Sequence, residues 1–365
     1  MSLEHAEADA HPANSANPAN LSSPAPAADI ADALVQWQRQ HGRSHLPWQN
    51  TRDPYRVWLS EVMLQQTQVS TVLGYFARFL DRFPDVAALA AAHEDEVFGL
   101  WSGLGYYSRA RNMHRCAQEV VARFGGVFPD TAAQLMTLPG IGRSTGAAIA
   151  AFCFGERVAI LDGNVKRVLT RLLGDARDLS VAANERALWQ VATELLPSAA
   201  DPGAIATYTQ AVMDLGATVC TPRKPACEAC PMSSRCIARH EGAPERYPVK
   251  TRKLRRTAES LWLLLVRNAA GQTWLTKRPA TGIWAGLYSP PCFTSREALD
   301  AALAEGLDVV EEPAFVHVLT HKDLHIHPLR VAWRGSADVD GNGGWYGAGD
   351  WSVLGLPAPV RKLLA

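Results

Sequence analysis

Four cysteines fall within seventeen residues: Cys220, Cys227, Cys230 and Cys236, in the stretch CTPRKPACEACPMSSRC, with six, two and five residues between them. Thiolates so close together repel one another unless a cation neutralises them, so the spacing predicts a metal site. Zinc sites usually pair short Cys-x2–4-Cys clips from separated segments. Here one continuous loop supplies all four sulfurs and a single Cys-x2-Cys, a pattern that suits a [4Fe–4S] cluster with the chain wrapped once around it. Spacing alone leaves both metals open.

Two carboxylates and a glycine turn carry the other chemical signals. Glu61, in WLSEVMLQQTQV, has Val57, Trp58 and Leu64 as helical neighbours and so borders an apolar stripe. Desolvation there makes a carboxyl hold its proton, which equips it as a general acid near neutral pH. A partly exposed helix glutamate is the plainer alternative. Asp162, in AILDGNVKRVL, ends an apolar stretch and opens a helix, so it reads first as an N-cap. A capping Asp stays ionised near the positive helix end and could face a developing cation. In LPGIGRSTGAAIAAF (138–152), Gly140 and Gly142 allow close backbone approach, and the helix start offers N–H groups to an anion such as a DNA phosphate. With a helix over 131–137 before it, this reads as a helix-hairpin-helix, although an ordinary interhelical turn would look similar.

These groups must be positioned by a largely helical region, residues 29–245. Asp53-Pro54 opens a helix well, and apolar residues recur at 58, 62, 69, 72, 76 and 79–80 with helical period. Further helices are predicted over 85–100, 107–124, 143–154, 164–174, 183–196 and 203–218. Within the region, 53–160 forms a six-helix half carrying the hairpin, and 29–52 with about 161–245 forms the cluster-bearing half. A basic linker (246–257) leads to an α+β domain (258–365) with strands at 260–268 and 273–279, two more within 317–333, and a helix at 295–305. Residues 223–256 carry ten Lys/Arg against three Glu, although the 365-residue chain balances 36 Lys+Arg with 36 Asp+Glu. No apolar run is long enough to span a bilayer. Residues 1–28, rich in Ala, Pro, Ser and Asn, read as a disordered tail. Seven cysteines with no secretory signal point to a reducing compartment. A soluble, cytoplasmic (nucleoid-associated) monomer is expected.

The order SEVMLQQTQV, GLGYYSRARN, LPGIGRST, ILDGNVKR and C-x6-C-x2-C-x5-C resembles the helix-hairpin-helix DNA glycosylases with an iron–sulfur cluster, most closely their adenine-excising branch. The likeness covers about 29–245 and continues more weakly through a Nudix-like C-terminal domain. It implies a [4Fe–4S] cluster on the four cysteines, and double-stranded DNA with adenine opposite 8-oxoguanine or guanine as substrate. Glu61 would protonate adenine N7 and help activate water, and Asp162 would stabilise the sugar cation, their pKa values pushed apart. Arg43, Leu46 and Trp48 would line the adenine pocket. Gln65 and Tyr106 would wedge into the stack. Related lyases carry a nucleophilic lysine where this chain has Ser144, which implies a monofunctional enzyme.

The cluster would fix a basic loop carrying Arg223, Lys224 and Arg235 against the DNA backbone. In the C-terminal domain, REALDAALAEGL (296–307) lacks one of the paired carboxylates of a working Nudix helix, at Ala301, so pyrophosphate hydrolysis is not expected. The family's 8-oxoguanine loop falls on Leu319-Thr320-His321, which keeps the hydroxyl and the ring but not the usual aromatic. Two other classes compete: a lyase for oxidised pyrimidines, and a DNA-binding scaffold in which Glu61 and Asp162 are structural.

Overall fold

A computed structural model describes residues 27–198, 201, 203–251, 255–303, 308–333 and 343–365. The tail expected over 1–28 lies, up to residue 26, outside the described residues. The first helix, α1 (Ala27–His41), takes in the last two positions assigned to it. Then follow α2 (Pro54–Leu64), α3 (Val69–Arg82), α4 (Val86–Ala91), α5 (Glu94–Trp101), α6 (Tyr107–Phe124), α7 (Ala132–Leu135), α8 (Arg143–Ile149), α9 (Gly163–Leu173), α10 (Ala182–Glu194), α11 (Ala204–Asp214) and α12 (Ile237–His240). None of the described helices is long and apolar enough to cross a membrane.

Local chemistry explains the boundaries. Asp53 caps α2 by accepting from the Tyr55 N–H at 2.9 Å, with Pro54 in the first turn. The single helix expected over 85–100 is two helices. Ala92 is extended, the His93 ring accepts from the Asp95 N–H, and Glu94, Asp95 and Glu96 crowd the first turn of α5, where acids favour a new helix start. The helix expected over 131–137 shrinks to four residues, and α8 and α11 each run on into a π-helical turn, 150–154 and 215–219.

Two apolar cores form, one around Trp58, Phe79, Phe98 and Trp101, the other around Leu34, Leu169, Leu188 and Leu215. The alanine-rich α8 lies between them. Ile149 faces the first core, and Ala147 and Ala148 face the second, so small side chains let both halves approach one helix.

The C-terminal domain is a mixed sheet of β1 (Thr257–Arg267), β2 (Thr273–Lys277), β3 (Tyr288–Ser289), β4 (Cys292–Phe293), β5 (Val309–Glu311), β6 (Phe315–Val318), β7 (Lys322–Ala332) and β8 (Gly343–Tyr346), with the central order β3-β2-β1-β7-β5. The pair β1 and β7 runs parallel in register from Thr257↔Lys322 to Arg267↔Ala332. Alternation buries Leu261, Leu263, Leu265, Leu324 and Ile326 under a helix at Ala358–Leu364, and Leu264, Val266, Leu329 and Val331 under one at Arg296–Asp300. That second helix is shorter than the 295–305 expected, and residues 304–307 lie outside the described residues.

The two parts are stitched together at α5 and α6. Leu287 of the sheet domain is buried in the first helical core. A Cβ on Gly99 would stand 2.3 Å from the Val353 carbonyl oxygen, so only glycine admits that approach. Asp95 accepts from Tyr288 Oη at 3.0 Å, and Tyr107 Oη donates to the Leu356 carbonyl at 3.1 Å.

Candidate active site

Between the two helical cores lies a cavity of about 800 Å³, whose walls include both Glu61 and Asp162. That size is in the range of small-molecule sites, about 300–1,000 Å³. Glu61 projects from the face of α2 that lines the cavity, together with Val57, Ser60 and Leu64, while Val62 and Met63 turn into the first core. Burial first, and the charge of Asp162 second, push its carboxyl up to about 8. Asp162 caps α9, accepting from the Val165 N–H at 2.8 Å. Burial raises its pKa too, opposed by the Val165 and Asn164 amides and by Arg167 and Lys166. The expected divergence therefore takes a different form: both carboxyls shift upward, but only Asp162 has donors and cations working to keep it ionised.

Arg43, Leu46, Trp48, Gln65 and Ser144 line the same cavity. Leu46 and Trp48 are buried, and the Trp48 ring meets Phe76 edge-on at 5.2 Å. The Arg43 guanidinium is not loose: it grips the carboxylate of Asp214, which is fully buried. Sequence reasoning missed Asp214, since its partner lies 171 residues away and no local pattern joins them. Ser144 Oγ accepts from the Leu161 N–H at 2.8 Å, tying α8 to the segment that carries Asp162. Lys166, one turn into α9, is drawn aside by Glu185 at 2.7 Å.

Gln65 also lines a smaller hollow of about 270 Å³ with Gln66, Tyr106 and Gly140. Gln66 and Tyr106 both hold left-handed backbones, at φ 56° and 48°. Such conformations are strained for non-glycine residues and cluster at functional sites. Gln66 was not singled out from sequence; the repeated Gln after the apolar end of α2 was the available signal. Tyr106 is 46% exposed, with the Arg109 guanidinium 5.6 Å from its ring. The buried Arg109 in turn donates to the carbonyls of Val62, Met63, Leu104 and Gly105. Across the domain boundary, Tyr106 Oη and Thr320 Oγ1 share a hydrogen bond of 2.6 Å. Gly140 sits at φ 78° with no room for a Cβ, which would meet Asn112 at 2.8 Å, and Gly142 is the uncapped start of α8.

Thr320 and His321 are exposed at the tip of the β6–β7 hairpin, closed by Leu319 N–H donating to the Lys322 carbonyl. Leu319 turns inward onto the domain core. His327 stacks on Trp262 at 4.6 Å and is part of the packing.

Cys220, Cys227, Cys230 and Cys236 carry free thiols around one small hollow beside the buried Arg171, whose Nη1 lies 3.4 Å from Cys220 Sγ. Arg171 also donates to the Thr221 and Pro222 carbonyls, fastening the loop to α9. Burial first, and the neighbouring thiols after it, push Cys230 up to about 11, so deprotonation needs a cation. No three His, Cys, Asp or Glu among the described residues are placed to hold a single metal ion. One zinc would need all four sulfurs about 2.3 Å from a single point. Four cysteines ringing a hollow fit a multi-metal cluster better.

Comparison with known proteins agrees with this layout. Residues 59–194 match the HhH-GPD superfamily of base excision DNA repair proteins, 220–236 the iron-sulfur binding domain of endonuclease III, and 262–365 a NUDIX domain. The four-cysteine loop is thus an iron–sulfur site. The chain is 35% identical to an adenine DNA glycosylase of Buchnera aphidicola (subsp. Acyrthosiphon pisum) over 342 residues, covering 92% of this chain and 96% of that protein. To the human adenine DNA glycosylase it is 43% identical over 223 residues, 59% of this chain and 40% of that one. A thermostable thymine-DNA glycosylase superposes with a TM-score of 0.53 at 27% identity, over 59% of this chain and 97% of that chain.

Proposed function

The chain belongs to the adenine DNA glycosylase family, and from that premise we propose that it removes adenine mispaired with 8-oxoguanine or guanine, by hydrolysis and without lyase activity. The observation that carries this reading is one cavity shared by Glu61 and Asp162, with the Glu61 carboxyl held up to about 8.

An adenine nucleotide must leave the stack to reach that cavity, at a cost of about a few kcal/mol. Gln65 and Tyr106, with Gln66 beside them, would fill the gap it leaves. Arg43, Leu46 and Trp48 would surround the base. Glu61, protonated at neutral pH, delivers its proton to adenine N7. The C1′–N9 bond then breaks with its electron pair leaving on the base, which departs neutral. Positive charge develops on the sugar, and the Asp162 carboxylate faces it. Water adds to C1′ and returns a proton to Glu61, which restores the acid. Ser144 has no amine with which to form a Schiff base, and the Lys166 amine is paired with Glu185, so neither supports a Schiff-base route.

The hairpin around Gly140 and Gly142 would hold a DNA phosphate. The four cysteines would hold a [4Fe–4S] cluster, which supplies a cross-link fixing the loop of Arg223, Lys224 and Arg235 for backbone contacts. Thr320 and His321 would meet the opposing 8-oxoguanine. The enzyme would act as a monomer on cytoplasmic, nucleoid DNA.

The test is a set of duplexes holding adenine opposite 8-oxoguanine, adenine opposite guanine, and thymine glycol. Free adenine from the first, or from the first two, is expected, with no borohydride-trapped adduct. Release of thymine glycol with efficient trapping would replace this reading with a lyase.

A further inference from the structure

Arg109 is a cation in an unfavourable place. It is buried, and it stands in the first turn of α6, at the positive end of that helix. Burial lowers its pKa to about 10. Its side chain makes five hydrogen bonds, and none of the acceptors is a carboxylate. Nη1 donates to the carbonyls of Val62 at 2.9 Å and Met63 at 2.8 Å, which the end of α2 leaves open. Nη2 donates to Thr67 Oγ1 at 3.1 Å and to the carbonyls of Leu104 at 3.2 Å and Gly105 at 3.3 Å. Thr67 Oγ1 in turn donates to the Gln65 carbonyl at 3.3 Å. The fully buried Trp101 ring lies 5.1 Å from the guanidinium, and its indole N–H donates to the Gly105 carbonyl at 2.9 Å.

One guanidinium thus joins the turn after α2 to the turn before α6. Those turns carry Gln66 and Tyr106, both left-handed, and Gln65, Gln66, Tyr106 and Arg109 line the same hollow. A left-handed backbone at such residues persists only where the surroundings over-determine it. The planar fork of arginine can grip both turns at once, whereas the point charge of lysine cannot.

We propose that Arg109 is a positioning residue for base extrusion, which holds Gln65, Gln66 and Tyr106 as one two-sided wedge before DNA arrives. The inference rests on the base-excision reading above and adds to it the group that makes the wedge rigid. A wedge already in place need not be ordered at the moment the base leaves the stack, so less of the binding energy is lost. Holding two prongs at a fixed spacing is a task that exists only while both prongs are present.

The test is a double-variant cycle on single-turnover release of adenine opposite 8-oxoguanine, with 2-aminopurine beside the adenine to report unstacking by fluorescence. Arg109→Lys is expected to slow release about 10- to 100-fold and to lower the unstacking signal, whereas Glu61→Gln should slow release and keep that signal. In a Tyr106→Ala background, Arg109→Lys should cost only about twofold or less. Thr67→Val removes one of the five bonds without disturbing the buried charge, and it covers the case of a lysine variant that does not fold. It should show the same pattern at about 2- to 10-fold while melting cooperatively. Equal losses with and without Tyr106, slower release with a full unstacking signal, or unchanged release in these variants would overturn the inference. A wild-type protein that releases no adenine would instead overturn the function on which it rests.

Discussion

The helical cleft and the C-terminal hairpin are built from opposite materials. In the cleft the two carboxyls and Arg43 are deep or tethered: Glu61 in a site that raises its pKa, Asp162 on two backbone amides, Arg43 on Asp214. On the hairpin, Thr320 and His321 stand exposed, and Thr320 reaches across to share a side-chain hydrogen bond with Tyr106. The contrast follows from the tasks. A carboxyl becomes an acid at neutral pH only by losing water, which requires depth. A residue that meets a base still inside the duplex must reach outward. Changes in the cleft should therefore cost orders of magnitude, and changes at the tip only small factors.

The largest effect is expected from Glu61→Gln. General acid catalysis contributes about 100- to 10,000-fold, and base release should fall by that amount while duplex affinity holds. Rates on mispaired duplex alongside a binding isotherm check it. A variant that keeps its rate would make the cleft a scaffold and erase the contrast. Dependence on pH comes next. In the proposed mechanism the reaction needs Glu61 protonated, so its rate should fall about tenfold per unit as pH rises past about 8. It needs Asp162 ionised, so the rate should also fall in acid, from a point above the ordinary aspartate range. For stability the sign is the same. A carboxyl raised in the folded state favours folding at low pH and loses that benefit as pH climbs through the folded value. Glu61→Gln should thus gain melting temperature over wild type at pH 9 and not at pH 4.

A third expectation concerns the cysteine loop, which couples the two kinds of surface: its sulfurs sit against buried Arg171, and its basic residues face outward. Cys227→Ala should lose iron and, with it, about tenfold or more in duplex affinity at moderate salt, since several phosphate contacts act together. Iron content by absorbance and binding at two salt concentrations measure it. If affinity and melting temperature both survive loss of iron, the loop does not depend on its cluster.

Legibility followed the same division. That Glu61 and Asp162 are candidates, and that the four cysteines form one site, could be read because each sits in a local pattern: an apolar helix face, a helix start, a ligand spacing. The α2 start was readable from Asp53-Pro54. Asp214 was not, because its meaning comes from residues 38, 43 and 210 converging in space. The split at Ala92 was missed because a helical period continues across it while the His93 cap interrupts the chain. The parallel pairing of β1 with β7 and the seating of Leu287 in the helical core depend on tertiary contact, and no periodicity announces them. Leu319 reads as a lost aromatic in sequence, whereas in the fold it is half-buried against the domain core and Thr320 carries the loop's outward contact.

The smallest effect sharpens the comparison most, because it lies where the two regions touch. Tyr106 is held from one side by its left-handed backbone and Arg109, and from the other by the Thr320 hydroxyl. If the hairpin acts by steadying this wedge, Thr320→Val and Tyr106→Phe each remove the same bond, and together they should cost no more than either alone. One net hydrogen bond is worth about 0.5–1.5 kcal/mol, roughly a 2- to 12-fold change in rate. Single-turnover rates on adenine opposite 8-oxoguanine for the two single variants and the double variant close the cycle. Additive losses would mean that Thr320 contacts the lesion independently of Tyr106, and that the exposed hairpin and the strained helical loop read DNA as separate parts. Non-additive losses would make them one clamp, with the sheet domain reaching the chemistry through a tyrosine that belongs to the helices.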